Sequence, residues 1–295
     1  MEREGIGRKV LHFPLTKILI GIIVVATVYA AGQFYLNELF KQISITEWLR
    51  DLIIGVVSAF LVVAVYIILF MSYEKRKITE LSIKGIGKHL GPGILLGVVL
   101  QSLTILVIYL SGGFTVVSVN SILLVVPALT LSFSAAIFEE VFFRGIIFRV
   151  TEEKLGSYLA LLISALIFGA LHLANPNSSL IVAVGLVIQA GLLLAAAYIY
   201  TRNLWFPIAI HFAWNFTQAG IFGAAVSGNA LGRSLLTSKI EGPSWITGGS
   251  FGPEGSIQAT LFCLVPTVII LILSRRQKKM ISPYWRKDNK QVEKI

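Results

Sequence analysis

Charge is what this chain has least of. Only 14% of its 295 residues are charged, against about 25% in an ordinary soluble domain. Hydrophobic residues make up 56%, and the mean hydropathy is +0.81. That balance excludes a soluble globular fold and describes a polytopic membrane protein, of a length that suits one helix bundle. Cysteine is nearly absent. The single thiol, Cys263, lies in an apolar run, so no intrachain disulfide and no cysteine-rich zinc site can form, and packing is its expected role. No HExxH motif, internal repeat or low-complexity tract is present. Acidic residues are outnumbered 15 to 25 by Lys and Arg, giving a net charge of +10. In a soluble protein that excess would suggest nucleic acid. Here the cations flank apolar runs and fill the tail RRQKKMISPYWRKDNKQVEKI, where they face anionic lipid. The expected partner is therefore the bilayer, with no nucleic acid.

The fold class that follows is all-α: a membrane bundle of about eight spans. Apolar windows fall near 15–36, 51–72, 91–114, 120–150, 157–174, 178–200, 204–225 and 257–274. The first follows a basic start (Arg3, Arg8, Lys9). It is longer than a signal-peptide core and is read as an uncleaved span. The segment 73–90 is basic and amphipathic and is expected to lie on the membrane surface. Positive residues in the second, fourth and sixth connections and in the tail place both termini in the cytoplasm, and a multi-pass protein of the plasma membrane is the expected setting. Three parts are distinguished: a three-span segment 1–119, a core 120–225, and a loop, last span and basic tail 226–295. One window is too long. Residues 120–150 would make a helix of roughly 46 Å, against a hydrocarbon core near 30 Å.

The few polar groups inside these windows are the candidates for chemistry, because ionisable residues in a span are costly and face a protein interior or a water cavity. They are Glu139, Glu140 and Arg144 in FEEVFFRG, His172 in FGALH, and His211 with Asn215 in HFAWN. Glu140 and Arg144 are four apart and can neutralise each other on one helix face. Glu139 has no opposite charge three or four residues away on its own helix, which marks it as the functional carboxylate. His211, Asn215 and Gln218 share another face. Taken singly, His172 could be a packing histidine and His211 with Asn215 interhelical glue. Three polar sets on three spans point instead to one shared site. A carboxylate beside a neutral histidine can hold and deprotonate a water, while a second histidine and an amide can donate to an oxyanion. Amide hydrolysis fits that set. Glu with two His would also suit zinc, with ligands drawn from separate helices.

The ordered motifs EExxxR (Glu139, Glu140, Arg144), FxxxH (Phe168, His172) and HxxxN (His211, Asn215) resemble the CAAX-protease and bacteriocin-immunity family of intramembrane proteases, which includes the type II CAAX prenyl endopeptidase. The resemblance covers roughly 120–225. It implies a membrane endopeptidase in which Glu139 activates water with His172, His211 and Asn215 stabilise the oxyanion, and Glu140 and Arg144 support them. It leaves open a metal-free glutamate mechanism, the expectation favoured here, and a zinc mechanism. The implied partner is a membrane-associated or lipidated peptide or protein. The competing class is a non-enzymatic scaffold or immunity protein; a transporter is a third reading, which the lack of repeats disfavours.

The depths of these residues do not agree at first sight. Measured from the predicted span ends, His211 lies about 10 Å in, Glu139 about 16 Å and His172 about 22 Å. A common site then requires a misplaced boundary, expected at the start of the fifth span in SYLALL. The Gly-rich loop ending GGSFGPEGS has two readings, a cap over the cavity or a plain connector.

Overall fold

The computed structural model describes residues 6–286 and is 74% helical. The charges at Arg3 and in 287–295, and so the extreme ends, lie outside the described residues. After a short α1 (Ile6–Leu11) come three long helices, α2 (Pro14–Lys41), α3 (Glu47–Glu74) and α4 (Gly87–Leu110). Next are α5 (Val126–Glu140), a π-helical segment (Val141–Phe148) and α6 (Arg149–His172). Then follow α7 (Leu180–Leu186), a second π segment (Val187–Leu192) and α8 (Leu193–Thr201). The chain continues with α9 (Trp205–Phe216), a third π segment (Thr217–Ile221), the short α10 (Ser244–Thr247) and α11 (Ile257–Arg276). Among the described residues, six helices are long and apolar enough to cross a membrane: Pro14–Lys41, Glu47–Glu74, Gly87–Leu110, Ile122–His172, Leu180–Thr201 and Ile257–Arg276. The chain is a multi-pass membrane protein. Its outside is apolar, with Phe60, Ile68 and Leu95 exposed, while Ser58, Gln101 and Thr104 are buried. Such an inversion suits a lipid solvent and a tightly packed polar interior.

The 51-residue helix Ile122–His172 is two limbs. At Gly156 the backbone takes φ 76° and ψ 170°, a region open essentially to glycine alone. Phe143 and Phe168 flank this point and would lie roughly 37 Å apart on a straight helix. Their ring centroids are 4.7 Å apart, so the chain doubles back at Gly156. This resolves the depth conflict between the second and third candidates. The helical limb that carries Glu139 runs on past 150 to Leu155, and the limb that carries His172 begins at Ser157. Counted from Gly156, Glu139 and His172 lie at nearly equal depths of roughly 25 Å.

Two further features go beyond the sequence reading. Within the 73–90 segment, residues 75–86 are irregular chain that touches the bundle at its middle. Glu80 and Leu81 are buried, and Glu80 accepts from Tyr66 and from Arg76 at 2.6 Å. The second is a small sheet absent from the all-α reading. β1 (Phe114–Val119) pairs antiparallel with β2 (Leu236–Ile240), from Phe114 opposite Ile240 to Val119 opposite Leu236, with a register shift between Val116 and Ser118. It ties the 226–256 loop to the connection after α4, which fixes where that loop can reach.

Candidate functional site

α9 carries two of the candidates, and two glycines set its position. Gly93 and Gly97 of α4 are one turn apart and face it. A Cβ on Gly93 would come within 2.9 Å of the Phe206 carbonyl oxygen, and one on Gly97 within 2.5 Å of the Ile210 carbonyl oxygen. This small-xxx-small spacing lets two backbones approach as closely as membrane helices can, and it brings His211 inward to the first π segment.

Glu140, the last residue of α5, is fully buried, and Arg144 is 1% exposed. They form the expected i,i+4 pair, Arg144 Nη1 donating to Glu140 Oε1 at 2.8 Å. Arg144 does more. Its Nη2 donates to the carbonyl oxygens of Ala190 at 2.6 Å and Gly191 at 3.2 Å in the second π segment, where i→i+5 geometry disturbs the regular α-helical pairing of the backbone. Its guanidinium carbon also lies 5.2 Å from the centre of the Phe168 ring, a cation–π distance. Phe168 in turn stacks on His172 with centroids 4.3 Å apart and accepts at its carbonyl oxygen from His172 Nδ1 at 2.8 Å. The EExxxR and FxxxH motifs are therefore linked by direct contact.

Glu140 has a second task that spacing did not reveal. The same Oε1 lies 2.9 Å from His211 Nδ1. With the carboxylate accepting, Nδ1 carries its proton, and Nε2 is the nitrogen left for other work. Nε2 lies 3.9 Å from Glu139 Oε2. That is too long for a hydrogen bond and suits an atom bridging the two at about 2.8 Å from each. Glu139 Oε2 is buried with no hydrogen-bond partner in the protein. The imidazole thus stands between both glutamates.

His172, His211 and Asn215 come together on one cavity, whose other walls include Trp214, Gln189, Ser227, Glu254 and Cys263. Its open volume is about 40 Å³, room for water but not for a peptide. Glu139 is not on this wall; its contact with the set runs through His211. Gln218, on the same face as Asn215 in sequence, instead donates to the Ala225 carbonyl oxygen at 2.6 Å and anchors the loop. Cys263 is buried, as its packing role requires. Among the described residues, no three His, Cys, Asp or Glu side chains converge as a metal-ligand set; Glu139, His172 and His211 do not fit zinc in this arrangement.

Sequence reasoning missed Glu254. It is the only charged residue between Glu241 and Arg275, which was a usable signal, but the glycines around it suggested a connector. Its carboxylate accepts from the Ser227 backbone N–H and, at 3.1 Å, from the Ser227 hydroxyl.

Comparison with known proteins adds one finding. Residues 121–217 match the family model described as Rce1-like, type II CAAX prenyl endopeptidase Rce1-like. That stretch, about a third of the chain, is similar to the CAAX-protease family. Neither a curated protein nor a solved structure matches the chain. The CAAX-protease segment holds Glu139, Glu140, Arg144, His172, His211 and Asn215, and the match supports a CAAX-protease-like hydrolase embedded in a membrane.

Proposed function

We propose that the chain is an intramembrane endopeptidase that hydrolyses a peptide bond in a membrane-associated or lipidated peptide or protein. The observation that carries this reading is His211 between two carboxylates, one bonded to Nδ1 and one 3.9 Å from Nε2. In this mechanism Glu139 takes a proton from water, and the oxygen attacks the amide carbon. The carbonyl oxygen becomes an oxyanion and accepts from the Asn215 amide and from His211 Nε2–H. The C–N bond then breaks, and Glu139 returns its proton to the leaving nitrogen. His172, at the depth of Glu139, helps hold the water. Because His211 Nδ1–H is committed to Glu140, Nε2 can donate only in the imidazolium form. Charge balance favours that form: two carboxylates face one guanidinium, and a protonated His211 completes neutrality. Glu140 and Arg144 support the imidazole and the helix junction.

This mechanism uses no metal. Excess chelator should leave the rate unchanged; loss restored by zinc would contradict it. Gly156 makes two passes of Ile122–His172, and 205–221 is a further helical stretch. Together with the other five long helices they support eight spans, with both termini cytoplasmic by the charge pattern. Comparing the membrane peptidomes of cells carrying wild type or Glu139→Gln at matched abundance tests the function. A peptide or new chain terminus lost only in the variant is the expected result. Identical peptidomes would favour a scaffold or immunity role.

A further inference from the structure

Every candidate so far lies between 139 and 215, yet part of the cavity wall comes from the loop before α11. Glu254 lines it together with His172, His211 and Asn215. It is 4% exposed. The loop is built to hold it there. Its backbone oxygen accepts from Gln189 Nε2 at 2.9 Å, and Gln189 belongs to the π segment whose carbonyls hold Arg144. Two residues before Glu254, Gly252 takes φ +120°, and a Cβ there would lie 2.1 Å from the Ala225 carbonyl oxygen. Only glycine allows that path.

A cap for the Ser227 N–H requires an oxygen, which glutamine supplies equally well at no cost in buried charge. A buried carboxyl without a salt-bridge cation among the described residues calls for another reason. His172 provides one. Its Nδ1–H is taken by the Phe168 carbonyl oxygen, which can only accept, so Nε2 is its working nitrogen. A partner in the cavity must settle whether that nitrogen accepts or donates. We propose that Glu254 is a positioning residue of the hydrolytic site: across the cavity from His172, directly or through one water, it fixes the orientation and proton of that imidazole. The proposal rests on the proteolytic reading above and extends the site beyond the matched segment. Burial pushes the Glu254 carboxyl above the usual range, while the Ser227 N–H and then His172 pull it back.

The test uses the full-length protein in detergent micelles with a quenched-fluorescent peptide ending in a farnesylated CAAX sequence. Glu254→Gln should keep the thermal midpoint and KM, while kcat falls about 10- to 100-fold, the scale of a small misplacement at a reacting centre. Glu254→Asp, which keeps the acid, should recover part of the loss; a loss equal to that of Gln would reduce Glu254 to packing and overturn the proposal. A second arm needs no substrate: the ring signals of ¹⁵N-labelled histidines. His172 should shift in Glu254→Gln while His12 and His89 do not. An unchanged His172 signal overturns the proposal whether or not the peptide is cut. A wild type that cuts no faster than Glu139→Gln overturns the proteolytic reading instead, and the histidine signal still decides whether Glu254 and His172 are coupled.

Discussion

Two of the buried charge clusters among the described residues are balanced differently. Around the end of α3, Lys17, Arg76 and Arg149 face Glu74, Glu80 and Glu153, with Glu74 shared among all three cations at 2.8 to 3.1 Å. Charges there cancel one for one. At the site, Glu139 and Glu140 face Arg144 alone, and only His211 can close the gap. The first cluster also has buried atoms on Glu74 and Arg149 without a hydrogen-bond partner, but its charges balance, and it fastens a loop to the helix bundle. The second is short of one positive charge and has buried oxygens on both glutamates without a partner. A charge deficit is expensive in an apolar interior, and it is this deficit that the proposed mechanism puts to use. Burial alone would not have separated the two clusters; charge count does.

The comparison can be broken most severely at Arg144. Arg144→Met leaves Glu140 buried without its cation and removes the tie to Ala190 and Gly191. A loss of about 3–5 kcal/mol is expected, read as failure to purify a monodisperse protein or as a large drop in thermal midpoint. Glu140→Gln is next. The sequence suggested a purely structural partner for Arg144, but its bond to His211 adds a catalytic consequence: kcat should fall about 10- to 100-fold together with a lower thermal midpoint. A variant that loses stability and keeps its turnover per folded molecule would return Glu140 to architecture. In the balanced cluster, Arg76→Gln removes charge-assisted bonds to Glu74 and Glu80 and should cost about 1–3 kcal/mol, seen in the melting curve, with turnover unchanged. The smallest effect is expected from Arg233→Ala, which breaks the exposed pair with Glu47 at 2.5 Å; neither stability nor rate should move measurably.

Hydropathy located nearly every helix, because a span must be apolar over about 20 residues whatever it packs against. It could not locate the turn between the fourth and fifth passes. Charges at Arg149 and Lys154 suggested an end near 150, yet Arg149 is buried and paired with Glu74, so the helix continues to Gly156. The β1–β2 pair was hidden by distance, its strands lying more than a hundred residues apart, in segments that resemble polar connections. At the site, helical spacing correctly paired Glu140 with Arg144 and grouped His211 with Asn215. Contacts between helices were beyond it: the Glu140–His211 bond, the Phe168 bridge from Arg144 to His172, and Glu254 across the cavity all depend on how separate elements dock.

The most direct test of the account is single-turnover cleavage of the farnesylated CAAX peptide by wild type and Glu139→Gln reconstituted in liposomes, with thermal midpoints measured on the same preparations. The account predicts a fall of about 100- to 10,000-fold, the range for removing a general base, with an unchanged midpoint. Cleavage by Glu139→Gln at the wild-type rate, with the fold intact, would contradict it.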